Sequence, residues 1–231
     1  MGKKSRERIE LSYVLPTYNR AEYLGECLLT LFEQSYNKNA YEVILVDDGS
    51  TDTTTELLRY LVAKYPNLRV FKTKHKGVEY ARNFGNKKAR ADLIGVCDSD
   101  DLYHQDRTKL TLRYFKRHPT VDIMTGSYME IDHRGMPVKF YGAKKLNKKR
   151  FLSGRHEEYF CHDNCTYHKD KALATPYRKG QGTDDWNLVR DWLNAGYRFG
   201  FMDDELCKVR TLKYGIMGSI RAVRGIKLPH A

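Results

Sequence analysis

Three carboxylates follow an apolar run in this chain, and their type and spacing suit metal chemistry. Asp98, Asp100 and Asp101 come directly after residues 93–97. A short apolar run is typical of a strand buried on both faces of a sheet, and open α/β sheets bind ligands at the carboxyl edge of such strands. Crowded carboxylates that lose solvent are costly without a cation. Their hard oxygens suit Mg²⁺ or Mn²⁺, with phosphate oxygens as further ligands. The alternative is a solvated acidic turn.

Two other polar segments follow predicted strands. One is Pro-Thr-Tyr-Asn-Arg at 16–20, and the other is Asp-Asp-Gly-Ser-Thr-Asp at 47–52. Taken alone, the second segment is also typical of a turn that leads into a helix cap. The carboxyl ends of parallel strands meet at one edge of a sheet. We therefore expect both segments to lie beside Asp98, Asp100 and Asp101, here called the Asp98 cluster.

The three polar segments meet at one edge of a sheet only if strands and helices alternate along the chain. Apolar runs predict strands at 11–15, 41–46, 68–71 and 93–97, and helical spacing predicts helices at 21–34, 51–65 and 78–89. This order predicts an α/β fold with a mainly parallel central sheet, flanking helices and right-handed crossovers.

The pattern is less regular in the second half. It predicts a helix at 107–117, a strand at 121–126, a hairpin at 128–141, a mobile loop at 144–155 and a helix at 183–195. The simplest organisation is one domain with an irregular second half.

Positive charge is concentrated in that second half. The formal net charge of the 231 residues is +12. Residues 139–155 contain seven Lys or Arg and no acid, and residues 208–231 contain six Lys or Arg and no acid. Acid-free basic segments favour an anionic partner, which can be nucleic acid, a membrane surface or a polyanionic glycan.

Cysteine usage and hydropathy indicate a cytoplasmic protein, with a peripheral position at the membrane as a further option. No apolar run approaches the roughly 20 residues of a membrane span, and the N-terminus has no signal-peptide core. Five cysteines, an odd number, favour reduced thiols. Cys161 and Cys165 flank His162 and Asp163, with His168 nearby, which is one alternative for a zinc site. The sequence has no second cysteine pair at zinc-finger spacing to complete it.

Five segments in order carry a resemblance to a known family. They are residues 14–20, 46–52, 77–85, 98–101 and 183–188. With them the chain resembles the family-2 glycosyltransferases of the GT-A fold from about residue 9 to 210. The resemblance implies a single GT-A domain over 1–231, in which about 9–127 bind a nucleotide sugar and about 128–231 bind the acceptor. It also implies inverting transfer of a sugar from a nucleoside diphosphate sugar, with UDP favoured.

The resemblance implies a role for particular residues of the donor half. Those expected to bind the nucleotide sugar are Pro16, Thr17, Tyr18, Arg20, Asp48, Arg82, Asp98 and Ser99. Asp48 is expected to accept a hydrogen bond from the base. Asp98 and Asp100 form the D-x-D motif that binds Mn²⁺ or Mg²⁺, with Asp101 as an alternative ligand.

On the acceptor side, the resemblance makes Asp185 the general base, with Asp184 as second choice. Both acids also suit the start of a helix. Trp186 is expected either to stack on a sugar or to belong to the core, and Arg210 corresponds to an arginine of the loop that closes over the diphosphate. One departure is Leu212, where many relatives have His.

The acceptor is open to two interpretations. A cell-envelope or lipid-linked glycan is slightly favoured. The alternative is DNA that carries hydroxylated bases, with Tyr141, Phe151 and Tyr159 as aromatic contacts to an exposed base. Outside glycosyl transfer, a non-catalytic nucleic-acid-binding module and a nucleotidyltransferase remain, although residues 16–20 are not the Gly-rich loop that a nucleotidyltransferase should carry.

Overall fold

The computed structural model describes residues 8–153, 160–179 and 184–212. The strands are β1 Leu11–Thr17, β2 Tyr41–Asp47, β3 Leu68–Lys72, β4 Leu93–Val96, β5 Leu102–Tyr103, β6 Ile123–Ile131, β7 Pro137–Tyr141, β8 Thr166–His168 and β9 Phe199–Arg210. The α-helices are α1 Ala21–Phe32, α2 Thr54–Lys64, α3 Val78–Lys88, α4 Arg107–Arg117, α5 Lys148–Leu152, α6 Lys169–Ala174 and α7 Asp184–Asn194. Residues His162–Asn164 form one 3₁₀ turn.

All these strands belong to one sheet with the order β3-β2-β1-β4-β8-β6-β9-β5, and β7 pairs with β6. The first four strands are parallel, as the alternation of strands and helices predicts. The strand order reverses between β1 and β4, and such a switch point is where α/β sheets bind ligands. The α/β prediction is therefore confirmed.

The second half of the chain makes the sheet mixed. β8 is antiparallel to both β4 and β6, and β5 is antiparallel to β9, whereas β6 and β9 are parallel. The mainly parallel arrangement therefore describes the β1–β4 half, and the returning chain adds antiparallel pairs beyond β4.

Helices cover both faces of the sheet, which explains the continuous apolar runs of its strands. Along β1, Tyr13 and Leu15 belong to the core that includes side chains of α1, α2 and α4, whereas Val14 belongs to the core that includes side chains of α3, α6 and α7. Because successive side chains of a strand point to opposite faces, a strand covered on both faces is apolar throughout. No helix of the described ranges is long and apolar enough to span a membrane.

The predicted mobile loop at 144–155 is wrong for residues 148–152, which form α5. The Asn147 side chain accepts a hydrogen bond from the Arg150 backbone N–H at 3.1 Å, and Phe151 is buried in the core. A capped turn anchored by one aromatic residue is too short to give a periodic signal. Residues 154–155 lie outside the described ranges.

All five cysteines are buried and none forms a disulfide, which agrees with the expected reduced thiols. Burial raises the pKa of the Cys97 thiol to about 12, and burial also raises the pKa of Cys27, Cys161 and Cys165 well above the usual value. Such thiols are protonated and therefore poor nucleophiles.

Close packing of α3 on β1 gives a stability prediction. A Cβ atom on Gly85 would lie 2.4 Å from Val14 Cγ1, so we expect Gly85→Ala to lower the free energy of unfolding. The expected loss is about 1–3 kcal/mol, the usual cost of an overpacked core. The matched control is Gly25→Ala within α1, where the new Cβ would lie 3.9 Å from Leu57 Cδ2. That variant should gain about 0.5–1 kcal/mol because Ala suits helices better than Gly. Urea denaturation measures both, and equal changes would contradict the packing argument.

Candidate active site

A cleft of about 640 Å³ lies at the carboxyl edge of β1, β2 and β4. The predicted donor and metal residues share it. Those that line the cleft are Pro16, Thr17, Tyr18, Arg20, Asp48, Arg82, Asp98, Ser99, Asp100 and Asp101. Three strand ends that are far apart in sequence therefore contribute to one site, as the topology requires.

Asp48 holds the loop that follows β3. Its Oδ1 accepts hydrogen bonds from the Thr73 hydroxyl and, at 2.9 Å, from the Lys76 backbone N–H, and its Oδ2 accepts one from the Gly77 N–H at 2.7 Å. Gly77 has φ +98°, a conformation that favours glycine. Asp48 therefore shapes one wall of the cleft, in addition to the base contact that the resemblance implies.

Two aromatic side chains lie at the wall of the cleft that Asp48 shapes. The rings of Tyr18 and His75 have centroids 4.0 Å apart, with 30° between their planes, and both residues line the cleft. Tyr18 is 39% exposed, so its ring is accessible from the solvent. A planar heteroaromatic base can stack on such a surface. No local pattern in the sequence selects His75, because its position depends on how the loop after β3 folds back onto Asp48.

Substitution of Asp48 should weaken donor binding. In Asp48→Asn, one carboxylate oxygen becomes an NH₂ group that faces a backbone N–H donor, so the 73–77 loop loses an anchor. We expect the KM for the sugar donor to rise about tenfold, with a smaller change in kcat. The control is Asp132→Asn, because only Oδ1 of Asp132 accepts its two backbone hydrogen bonds and an amide oxygen can replace it. Equal KM values for Asp48→Asn and wild type would contradict this role.

The Asp98 cluster forms the floor of the cleft. Asp98 Oδ1 accepts a hydrogen bond from Arg82 Nη2 at 2.6 Å, and Asp100 Oδ2 lies 3.6 Å from Arg20 Nε. Asp101 is buried, and its Oδ1 accepts the Arg210 backbone N–H at 2.8 Å. No hydrogen-bond donor among the described residues reaches Asp101 Oδ2. The cluster thus combines paired and unpaired carboxylate oxygens.

Burial is the main cause of raised pKa values in this cluster. The pKa of Asp100 rises from 3.8 to about 6 through burial and the neighbouring Asp98 carboxylate, against the opposing effect of Arg20. The pKa of Asp101 is raised well above its usual value by burial and by the Asp163 carboxylate. The pKa of Asp98 is also raised by burial, with Arg82 acting in the opposite direction. The ionised cluster is therefore electrostatically unfavourable on its own.

The carboxylate oxygens of the Asp98 cluster are suitable ligands for Mg²⁺ or Mn²⁺. Desolvated carboxylates and a buried oxygen without a hydrogen bond are the groups that a hard divalent cation stabilises. Within residues 8–153, 160–179 and 184–212, no three His, Cys, Asp or Glu side chains form a ready-made metal site. Phosphate oxygens and water would have to complete the coordination, as they commonly do for Mg²⁺.

Two side chains hold the backbone at the end of β4. The Tyr103 hydroxyl accepts a hydrogen bond from the Asp98 N–H at 2.6 Å and donates one to the Asp98 carbonyl at 3.1 Å. Arg107 is fully buried and donates to the Val96 carbonyl at 2.7 Å. The buried guanidinium also donates to the Cys97 thiol at 3.3 Å, so Tyr103 and Arg107 together fix the backbone from which the Asp98 cluster projects.

Arg210 lines the cleft and joins the end of β9 to the Asp98 cluster. Its Nε donates to the Asp100 carbonyl at 2.9 Å, its Nη1 to the His133 carbonyl at 3.2 Å and its Nη2 to Glu26 at 2.9 Å. The guanidinium is therefore used by protein contacts that position the cluster. Its acceptor-side role stays a prediction.

Trp186 packs on Phe151 rather than into the cleft. Their ring centroids are 5.2 Å apart with 21° between planes, and Trp186 is absent from the described cleft lining. The core alternative predicted for Trp186 therefore fits the structure, and the buried Phe151 is not placed as a contact for an exposed base. Of the other two aromatic residues proposed for that contact, Tyr141 lines the cleft and Tyr159 lies outside the described residues.

Asp184 and Asp185 open α7, which agrees with the helix predicted at 183–195. Their side chains lie outside what the structure describes, so the assignment of Asp185 as general base stays a prediction. Leu212, the departure from the expected His, lines the cleft together with Thr211.

The far end of the cleft contains Tyr141, one of the aromatic residues predicted to contact an exposed base, together with residues for which no role in this cleft was predicted. Tyr128 and Tyr141 stack with centroids 4.8 Å apart and 6° between planes. Glu130 accepts hydrogen bonds from the Tyr141 hydroxyl at 3.0 Å and from the Thr211 hydroxyl at 2.9 Å. Asp163 also lines the cleft, with Oδ1 3.6 Å from His162 Nδ1. The hairpin prediction placed Tyr128 opposite Tyr141, but no local pattern locates Asp163.

Comparisons of sequence agree with this geometry. The sequence model of Glycosyl transferase family 2 matches residues 12–175. An uncharacterized glycosyltransferase of Haemophilus influenzae is 33% identical over 146 residues, which are 62% of this chain and 57% of that protein. The poly(ribitol-phosphate) beta-N-acetylglucosaminyltransferase TarS of Staphylococcus aureus is 30% identical over 214 residues, which are 90% of this chain and 36% of that protein. The chain thus spans only part of the length of either relative.

Comparisons of structure show the same fold. S. aureus TarS 1–349 in complex with UDP-GlcNAc superposes with a TM-score of 0.73 and 23% identity, over 91% of this chain and 61% of that chain. The mannosyltransferase PcManGT from Pyrobaculum calidifontis, in complex with GDP-Man and Mn²⁺, gives a TM-score of 0.70 and 21% identity, over 96% of this chain and 66% of that chain. This chain therefore has the GT-A fold.

Proposed function

This chain belongs to glycosyl transferase family 2, and we propose that it is a glycosyltransferase that transfers a sugar from a UDP-sugar to a hydroxyl acceptor with inversion of configuration. The observation that carries the proposal is the convergence of three strand ends on one cleft, with an aromatic pair at one wall and the Asp98 cluster at its floor. An aromatic wall suits a base, and a carboxylate floor suits a metal-bound diphosphate.

The donor half is built by short contacts around Asp48 and Asp98. We place the base against Tyr18 and His75, beside the loop that Asp48 anchors. Arg82 fixes the Asp98 carboxylate by a 2.6 Å hydrogen bond, so that the carboxylate is oriented before the donor arrives. A preformed donor site avoids the cost of ordering these side chains on binding.

Asp98 and Asp100 would hold a divalent cation, with Asp101 beneath them. When bound, Mn²⁺ or Mg²⁺ supplies charge neutralisation for the departing nucleoside diphosphate. Support comes from the raised pKa of Asp100 and from the Mn²⁺ complex of the mannosyltransferase that shares this fold.

Asp185 is the proposed general base. Its carboxylate would take the proton of the acceptor hydroxyl while the hydroxyl oxygen forms a bond to the anomeric carbon and the bond from that carbon to the diphosphate oxygen breaks. One displacement from the face opposite the leaving group inverts the anomeric configuration. Asp184, the preceding residue, is the second choice.

The proposed acceptor is a cell-envelope or lipid-linked glycan. TarS is named for transfer to poly(ribitol-phosphate), an anionic polymer, and the basic segments of this chain suit such an acceptor electrostatically. Transfer to hydroxylated DNA bases has less support, because Phe151 is buried against Trp186, although Tyr141 lines the cleft.

A UDP-release assay tests the donor half. The protein is incubated with a panel of UDP-sugars and GDP-sugars, with Mn²⁺ or with EDTA, and nucleoside diphosphate is measured. We expect Mn²⁺-dependent release from at least one UDP-sugar. Release from GDP-sugars alone would overturn the choice of UDP, and absence of both binding and release would overturn the proposed donor site.

A further inference from the structure

The hairpin strand β7 and the residue before it carry exposed apolar side chains that are not part of the cleft lining. Met136 is 61% exposed, Val138 60% and Phe140 51%. Val138 and Phe140 lie in β7 and Met136 directly precedes it, so the three form one run of exposed apolar side chains along the hairpin. Because the pairing of β7 with β6 shifts its register between Glu130 and Ile131, the three residues are grouped by their exposure. We call them the outer face of β7.

Nothing in the described part of the chain covers this face or extends the sheet beyond it. β7 pairs only with β6 among the described strands, with Phe140 opposite Met129 and Tyr141 opposite Tyr128. Soluble proteins usually protect an edge strand and avoid a cluster of large exposed apolar side chains. The outer face of β7 is therefore a candidate for contact with another surface.

The charge beside the outer face selects the kind of surface. Residues 139–150, here called the basic segment, contain no acid. Exposed lysines of this segment are Lys139, Lys144, Lys145, Lys148 and Lys149. Apolar side chains flanked by lysines match the boundary of an anionic bilayer, where acyl chains lie next to phosphate headgroups.

We propose that the outer face of β7 and the basic segment together dock on an anionic lipid bilayer. Nucleic acid would satisfy the lysines but not three solvent-exposed apolar side chains. A second copy of the chain would bring two basic segments together, which is unfavourable. An anionic bilayer satisfies both features at once.

Docking would also place the acceptor end of the cleft beside the membrane. Tyr141 lines the cleft, while the adjacent Phe140 belongs to the outer face. One strand therefore has the cleft on one side and the bilayer on the other. This step rests on the proposed function, because it brings the hydroxyl of a lipid-linked acceptor close to the stacked Tyr128 and Tyr141.

Vesicle co-sedimentation tests the docking surface. The full chain is mixed with phosphatidylcholine vesicles or with vesicles that contain about one-third phosphatidylglycerol, at low and high salt. We expect binding to the anionic vesicles only, and weaker binding at high salt. The triple variant Met136→Ser, Val138→Ser, Phe140→Ser should bind about tenfold more weakly. The matched control replaces Tyr60, Val62 and Leu173, which are 65%, 45% and 46% exposed, with Ser and should bind like wild type.

A second variant tests the charge, and a vesicle-free assay separates docking from catalysis. Lys144→Glu with Lys145→Glu should reduce binding and its salt dependence. Wild-type binding by the serine triple variant, or no binding by the wild type, would overturn the proposal. A β7-dependent dimer in sedimentation velocity would overturn it in favour of a second copy. UDP release without vesicles should be unchanged in the serine triple variant, so a failed donor site is distinguished from a failed docking surface.

Discussion

Replacement of Asp185 with Asn is expected to lower the rate of sugar transfer by about a thousandfold, within the range that a general base contributes. Asn has nearly the same shape as Asp but cannot accept the hydroxyl proton at neutral pH. Donor binding should change little, because the donor wall is formed by residues of β1, β2 and β4 and their loops, whereas Asp185 lies in the first turn of α7. Initial rates of transfer and calorimetric affinity for UDP measure the two effects separately.

Asp184→Asn is the matched control for this experiment. Both acids open α7, so both substitutions remove a favourable charge from a helix N-terminus, which is worth about 0.3–1 kcal/mol of stability. If the role of Asp185 is only to stabilise the helix, the two variants will lose similar stability and retain similar activity. A larger loss of transfer in Asp184→Asn would move the base to Asp184.

The donor wall was predictable because its residues follow strands with strong local signals. The apolar runs of β1, β2 and β4 are continuous, and the polar residues that end them must meet at one edge when the strands are parallel. Asp98 and the segment 47–52 were found in this way without knowledge of any contact, and the resemblance selected Asp48 within that segment. Arg82 was selected by the resemblance, which implies contact with the nucleotide or orientation of the Asp98 cluster, and the structure places it against Asp98. The contact of Lys76 with Asp48 depends on how the loop before helix α3 folds back, so it had to be read from the structure.

The acceptor end of the cleft could not be predicted from the sequence, because the strands that build it form only through long-range pairing. β8 has three residues, and β9 contains Asp203, Asp204 and Glu205. Neither segment has an alternation that predicts a strand. β9 pairs with β6 along a register that shifts around Ser127, so β9 could not be placed from local sequence. Asp163 reaches the cleft only because the chain returns through β8 to pair with β4.

The Asp98 cluster illustrates a conflict between stability and function. The folded state raises the pKa of Asp100 from 3.8 to about 6, so this group lowers stability progressively as the pH rises from 3.8 to about 6. Above about pH 6 the full cost of the buried charge is present, and below pH 3.8 the group is protonated in both states. Arg20, at 3.6 Å, offsets only part of this cost. Asp100, which would ligate a cation, therefore lowers the free energy of unfolding of the cation-free protein when it is ionised.

Asp100→Asn is accordingly expected to stabilise the cation-free protein and to abolish its response to Mn²⁺. At pH 7 the substitution removes an unfavourable buried charge, and we expect the free energy of unfolding to rise by about 1–3 kcal/mol, as a pKa shift of this size implies. Wild type should gain stability when Mn²⁺ and UDP are added, because a ligand that binds the folded state stabilises it, whereas the variant should not. Urea denaturation at pH 7 with and without Mn²⁺ and UDP gives these differences, and metal-dependent UDP release should fall at least a hundredfold.

The comparison with Asp101→Asn decides which carboxylate matters. Asp101 is more deeply buried, and its Oδ1 is already used by the Arg210 backbone N–H. If Asp101 serves only to hold β9 against the cluster, Asp101→Asn should keep a measurable Mn²⁺-dependent gain in stability. A variant Asp100→Asn that still responds to Mn²⁺, beside an Asp101→Asn that does not, would assign the cation to Asp101. In that outcome the buried Oδ2 without a hydrogen bond is the oxygen reserved for the metal.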